Sequence, residues 1–326
     1  MNEPTSPRTG PTGLQFGVHV GQQNASMAEL IALWQRLDHT VDWISVWDHL
    51  YEAPPAGGTV AHFEAVATLS ALASATTNAR LGCLVFCMPY RNPALLAKSI
   101  VAIDHISGGR FEPGFGAGWH QPEFVAHGYT FEEIGVRFDQ LTEGLEIVSS
   151  MLSDDAATTF DGEHFSVDAV TCVPGPLDGP IPLWTGGRGP TRTPATAARF
   201  CSGWNVPYVG PDEYRRLNDR LDTACEAIDR DPATLERSVN LAFHLGATPV
   251  AANAELQRIR DQWGTDAERV TAGALTGTPE DAVEQIAAFR AAGADMVNIA
   301  LRLPVDADAL DAYLDVVIPL ARNQIN

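Results

Sequence analysis

Positive charge is scarce in this sequence. Lysine occurs once, at Lys98, and 21 Lys+Arg stand against 41 Asp+Glu, so the 326 residues carry a formal net charge of −20. A field of that sign repels nucleic-acid phosphates and anionic lipid headgroups, which argues against both as partners. Lys98 falls within a helical pattern, so the Schiff-base lysine of an aldolase-type enzyme has no candidate. The five cysteines (Cys83, Cys87, Cys172, Cys201 and Cys225) form no CxxC pair and no Cys/His metal spacing. An odd number of cysteines suits a reducing compartment, and a cytoplasmic protein is expected. No stretch approaches the roughly 18 apolar residues of a membrane span. Residues 1–13 are rich in Pro, Thr and Gly and lack the apolar stretch of a signal peptide, so they read as a disordered leader. No linker, composition shift or repeat divides the remainder, and residues 14–326 read as one domain.

What the sequence does have is an ample core: 45% of its residues are hydrophobic and 19% charged. A chain of this length can hold a cofactor pocket without a metal or disulfide staple. Short apolar runs at 14–20, 43–47, 81–87, 111–116, 183–185, 204–206, 238–245 and 296–301 each precede a helical pattern. Ser26 with Glu29 forms a capping box that starts the first helix, and Pro93 opens another. Further helices are expected at 62–75, 136–152, 194–200, 211–229, 253–263, 279–292 and 307–322. Eight parallel strands, each followed by a helix, predict an α/β fold of the (β/α)₈ TIM-barrel type. Segments 158–160 and 164–167 around Asp161-Gly162 read as a β-hairpin inserted near the middle.

A barrel places its site at the C-terminal ends of its strands, so the residues just after each apolar run carry the chemistry. His49 ends the second strand. It is either an acid/base group titrating near neutrality or a histidine bonded to a loop carbonyl. Gly114, Gly116 and Gly118 give a G-x-G-x-G spacing that lets a flat ligand or phosphate approach the backbone, but no helix follows directly, so the dinucleotide fingerprint is not met. Trp184-Thr185-Gly186-Gly187-Arg188 ends a strand in a glycine-rich loop before a helix, an arrangement suited to an anion. Ser202-Gly203-Trp204-Asn205 can add a backbone donor beside it. Cys83 and Cys87 read as small core hydrophobes, and Arg91 as a surface ion pair rather than a ligand contact. His120, Glu123 and His127 share a loop, but two imidazoles and one acid do not define a metal site, and no metal is expected.

In order and spacing, Asp48-His49, Tyr90-Arg91-Asn92-Pro93, Ser107-Gly108-Gly109-Arg110-Phe111, Gly116-Ala117-Gly118-Trp119, Arg137-Phe138, Phe160-Asp161-Gly162, Trp184-Thr185-Gly186-Gly187 and Ser202-Gly203-Trp204-Asn205 resemble the luciferase-like monooxygenase superfamily. More narrowly they resemble its branch that uses the deazaflavin coenzyme F420. The resemblance runs from Gln15 to the last strand. It implies an oxidoreductase that moves a hydride between F420 and a small-molecule substrate, with His49 beside the reacting face of the ring. It implies a bulge in the third strand, with a non-prolyl cis bond at Leu84–Val85 behind the ring. It also implies cofactor contacts from Asp48, Gly116, Gly118, Trp119, Thr185, Gly186, Gly187, Arg188, Gly203 and Trp204, and a homodimer. The same fold admits FMN in a two-component monooxygenase, or a barrel that only binds a flavin-like ligand. One departure matters. Sugar-phosphate dehydrogenases of this kind carry a glutamate where Trp119 stands, and their substrate-phosphate lysine has no match around Pro207-Tyr208-Val209. A less charged organic substrate is expected instead.

Overall fold

The computed structural model describes residues 13–52, 58–153 and 157–325, so the expected leader lies outside the described residues except for Gly13. The strands are β1 (Gln15–Val20), β2 (Trp43–Val46), β3 (Arg80–Cys87), β4 (Phe111–Gly116), β5 (Thr158–Asp161), β6 (Ser166–Val170), β7 (Trp184–Gly186), β8 (Gly203–Pro207), β9 (Glu236–Leu245), β10 (Ala274–Gly277) and β11 (Met296–Leu301). The helices are α1 (Met27–Leu37), α2 (Ala65–Ala75), α3 (Pro93–Ser107), α4 (Gln121–Ala126), α5 (Ile134–Ser153), α6 (Arg192–Phe200), α7 (Pro211–Glu226), α8 (Pro249–Trp263), α9 (Ala267–Ala272), α10 (Pro279–Ala291), α11 (Ala307–Ala312) and α12 (Ile318–Ile325). Strands β1, β2, β3, β4, β7, β8, β9 and β11 pair in parallel, and the β8–β9 and β11–β1 pairings close them into a barrel. This is the (β/α)₈ architecture that the alternation of runs predicts. Among the described residues no helix is long and apolar enough to cross a membrane.

Strand β10 is an addition to that reading. Its four residues, Ala-Leu-Thr-Gly, are too short to stand out between helical patterns. Tyr208 N–H donates to Asn240 O and Ala242 N–H to Gly273 O. Backbone groups two residues apart face the same edge of a strand, so β10 takes up the edge of β9 where β8 leaves it. The short helix α4 was also not expected. Helix α2 begins at Ala65 rather than 62, because His62 bridges to Gln23 and bonds the Trp47 indole instead. The capping box at Ser26 and Glu29 forms as expected. The hairpin pairs Thr158–Asp161 with Ser166–Val170, slightly beyond the expected strands.

The sequence reads the barrel strands as almost uniformly apolar because both faces are covered. One face packs on the helices, with Phe16, Val18, Ile44, Val46 and Leu81 all buried in the large core. The other faces the barrel axis, where Trp43, Leu84, Trp184 and Met296 form a separate cluster with Val85. The Trp43 and Trp184 rings lie 5.1 Å apart. A Cβ on Gly82 would fall 2.1 Å from the Trp43 ring and one on Gly203 would fall 2.4 Å from Trp184, so these glycines make room for the indoles.

The N-terminal rim is closed by charge. Arg80 binds Glu236 at 2.7 Å and Glu112 at 3.3 Å, bonds Gln15, and lies over the Trp43 ring, while Glu112 also accepts from the Trp184 indole at 2.9 Å. Burial opposes the Arg80 charge, but the two carboxylates outweigh it and raise its pKa above that of a free arginine. A cavity of about 1120 Å³ opens beside this network, at the rim opposite the strand ends that carry His49 and Gly187.

Candidate active site

The C-terminal rim begins with the exits of β2 and β3. Asp48 accepts the Cys87 N–H at 2.9 Å and both guanidinium nitrogens of Arg91, at 2.5 and 2.8 Å. Arg91 also reaches Glu64 at 2.5 Å, and Glu64 caps α2 by accepting the Ala67 N–H. Arg91 is therefore an ion-pairing residue, as the sequence suggests. The Asp48 carboxylate is spent on tying the two strand ends together, so its side chain is not free for a cofactor. Cys83 and Cys87 are buried, and burial pushes both thiols up, away from the reactive thiolate.

His49 follows on the same loop, with 19% of its side chain exposed. Its Nδ1 lies 2.9 and 3.1 Å from the two carboxylate oxygens of Glu123, a residue of α4 that is 1% exposed. Glu123 also accepts the Leu50 and Tyr51 N–H groups, each at 2.9 Å, and the Tyr90 hydroxyl at 3.2 Å. Burial favours the neutral acid, but these donors outweigh it and hold the carboxyl below its usual range. Among the described residues His49 Nε2 has no hydrogen-bond partner. Trp119, 62% exposed, and His120 stand edge-on to the imidazole, at 5.7 and 6.2 Å between ring centres. Glu123 thus serves His49 rather than joining His120 and His127. Among the described residues no cluster of three His, Cys, Asp or Glu side chains is disposed to hold a metal.

The Leu84–Val85 peptide is cis, and the β3–β4 register shifts between Cys83 and Phe86, the bulge that the resemblance implies. Val85 is half-buried and lies over a floor of glycines. A Cβ on Gly116 would sit 2.5 Å from it, and one on Gly186 would sit 2.8 Å away. Any larger residue at either position displaces Val85. Gly118 has φ 76°, and its Cβ would collide with Cys87 Sγ and Phe124, both at 2.7 Å. Leu84 belongs to the buried cluster on the barrel axis.

After β7 the chain turns through Gly187, at φ 138°. The Gly187 N–H donates to Asn205 O at 3.0 Å, and its carbonyl accepts the Trp204 indole N–H at 3.1 Å. Helix α6 begins soon after, at Arg192, and its N-cap Thr191 gives no side-chain hydrogen bond to the first N–H groups. Arg188 is exposed in the loop between, without a partner among the described residues. Uncapped N–H groups beside a free guanidinium suit an anion. Two of the expected side chains are buried rather than exposed at that loop. Thr185 is buried, with its hydroxyl on Phe115 O, and Trp204 packs in the outer core. Strand alternation explains both: their neighbours Trp184 and Gly203 face the axis, so Thr185 and Trp204 face the helices.

Below the mouth sits a group that the sequence reading did not single out. His19 Nδ1 is 2.8 Å from Ser45 Oγ, and its ring meets Trp47 edge-on at 5.3 Å. Burial, with a smaller repulsion that a protonated His49 would add, pushes His19 down to about 3. The Trp47 indole donates to His62 Nε2 at 3.0 Å, and burial pushes His62 down to about 4. Both are neutral imidazoles at neutral pH. The usable signal was alternation: Gly17, His19 and Gly21 in β1 and its exit share one face.

A family profile described as luciferase-like monooxygenase matches residues 16–269. The chain belongs to the luciferase-like monooxygenase family. It is 28% identical to 5,10-methylenetetrahydromethanopterin reductase of Archaeoglobus fulgidus, with 70% of this chain and 79% of that protein covered. Among solved structures it resembles an F420-dependent secondary alcohol dehydrogenase in complex with an F420-acetone adduct, with TM-score 0.83, 18% identity and 95% and 100% of the two chains covered. It also resembles the FMN-complexed oxygenating constituent of 3,6-diketocamphane monooxygenase from Pseudomonas putida, with TM-score 0.75, 17% identity and coverage of 94% and 99%. At these identities the two structures establish the shared fold. It is also 26% identical to a putative coenzyme F420-dependent oxidoreductase of Mycobacterium tuberculosis, with 64% of this chain and 59% of that protein covered.

Proposed function

We propose that this protein is an oxidoreductase that moves a hydride between coenzyme F420 and a small, weakly charged organic substrate at the C-terminal rim of the barrel. One observation carries the reading. His49, with Nε2 unbonded, shares a rim with the Val85 bulge and the Gly186–Arg188 loop. The donor set fits a flat ring bearing an anionic tail. Val85 and Gly116 offer a narrow apolar platform, while Arg188 and the α6 N-terminus offer positive potential against the global charge of −20. When bound, such a cofactor supplies the hydride chemistry; the protein supplies position and proton handling. The roles are Val85 behind the ring, Gly116 and Gly118 for close backbone approach, Gly186, Gly187 and Arg188 at the tail, and His49 at the reacting face; Gly203 opens β8 at the opposite rim and takes no part. Trp119 and His120 line the substrate side with rings rather than charge, which supports a substrate less polar than a sugar phosphate. The reading includes a cytoplasmic homodimer, which light scattering of the pure protein checks.

FMN fits the same platform and tail site, and the FMN-complexed neighbour favours it as the second reading. Titration of the pure protein with each cofactor, followed by ring fluorescence, separates them. Tight F420 binding with substrate reduction and no oxygen uptake supports the first reading. Oxygen consumption with reduced FMN supports the second. Binding of neither overturns both, and tight binding of a sugar phosphate overturns the substrate class.

A further inference from the structure

Glu123 lies 74 residues from His49 in sequence, yet the mouth is built around it. We propose that Glu123 is the positioning residue of this site, fixing His49 as the Nδ1–H tautomer and turning the Nε2 lone pair toward the mouth. The inference rests on the reading of His49 given above. A carboxylate only accepts hydrogen bonds, so every group around Glu123 must donate. Four do: His49 Nδ1, the Leu50 and Tyr51 N–H groups, and the Tyr90 hydroxyl. With its one proton on Nδ1, the neutral imidazole carries its lone pair on Nε2. The arrangement matches the way buried carboxylates orient histidines elsewhere.

The consequence is chemical. When a substrate O–H or N–H is oxidised, the hydride leaves the adjoining carbon with its electron pair for the redox cofactor, and the proton passes to Nε2. The resulting imidazolium stands against the Glu123 carboxylate. In the opposite direction Nε2–H returns the proton. Without Glu123 the ring is free to adopt the other tautomer, which presents N–H and cannot accept a proton.

The two carboxylate oxygens divide the work, which gives a clean test. Oε1 takes the Leu50 and Tyr51 N–H groups, while Oε2 takes the Tyr90 hydroxyl and the shorter His49 contact. In Glu123→Gln the amide oxygen keeps the two backbone bonds that hold the loop. Its NH₂ then faces Nδ1 and forces the neutral ring to the Nε2–H form. Nitrogen-15 NMR of histidine-labelled protein, with His49 assigned by His49→Gln, reads the tautomer without cofactor or turnover. The wild-type protein is expected to show Nδ1–H and Glu123→Gln to show Nε2–H, with unchanged cofactor affinity. Turnover should fall about 100-fold in kcat, with KM changed less than about threefold. A wild-type Nε2–H signal overturns the proposal, as does a Glu123→Gln protein with the wild-type tautomer and kcat. If Glu123→Gln does not fold, the wild-type spectrum alone decides, with Tyr90→Phe as a milder variant that should keep the Nδ1–H form. If no cofactor supports turnover, the reading of His49 falls while the tautomer still decides the role of Glu123.

Discussion

At the N-terminal rim Arg80 is enclosed by Glu112, Glu236 and Gln15, and at the C-terminal rim Arg91 is enclosed by Asp48 and Glu64. Both guanidiniums are satisfied, and both tie strand ends together. The rims differ in what stands beside those pairs. At the lower rim Glu112 spends its remaining capacity on the Trp184 indole. At the upper rim the neighbour is His49, held at one nitrogen and free at the other. An opening of about 1120 Å³ lies at the lower rim, beside the Arg80 network. A cavity lined by charges that already answer one another offers a ligand little, whereas one unbonded nitrogen on the rim that carries the Val85 bulge offers a reactive position.

That contrast can be broken at either end. The largest expected effect is at the upper rim: His49→Ala should lower turnover about 10²–10⁴-fold with cofactor affinity kept. Steady-state kinetics beside a fluorescence titration checks it, and unchanged turnover removes His49 from the chemistry. At the lower rim, Arg80→Ala leaves two largely buried carboxylates without their partner. It should cost about 3–5 kcal/mol in urea unfolding while the folded protein keeps its turnover. A matching loss of activity with intact stability would erase the distinction between the rims.

Smaller changes sharpen it. Gly116→Val drives a side chain into Val85 and should cost about 1–3 kcal/mol, together with cofactor affinity. Gly135→Ala in α5, where a Cβ meets nothing within 4 Å, is the control and should be neutral or stabilising. The smallest effect at ordinary pH comes from His19. Its pKa is about 3 in the fold against 6.5 ordinarily, so on acidification the unfolded chain takes up the proton first. The stability this histidine contributes is present above about pH 6.5 and is lost on going down toward pH 3, at about 1.4 kcal/mol per pH unit. His62, at about 4, adds a loss of the same sign. Denaturant unfolding at pH 7 and pH 5 should show a shallower fall for His19→Gln; an identical fall would mean that His19 is protonated within the fold.

Much of this was legible before any coordinates. The barrel follows from eight apolar runs spaced by helical patterns, because a parallel strand covered on both faces must be apolar throughout. His49 and the glycine turns could be located because each sits at a strand exit that the runs mark, whereas the Leu84–Val85 cis bond, inside β3, was implied only by the family resemblance. The same uniform apolarity concealed which way each side chain points. The structure turns Thr185 and Trp204 to the helices, which the runs by themselves do not show. Asp48 could be placed at the rim, but not its three bonds to Cys87 and Arg91.

The sequence alone determined the architecture and the rim, since hydrophobic periodicity is a local property of the chain. Tertiary structure alone decided the pairing of His49 with Glu123, the neutral state of His19 and the saturation of Arg80. Each depends on distances between residues far apart in sequence and on burial that screens them from water, and neither quantity is written in the order of the residues.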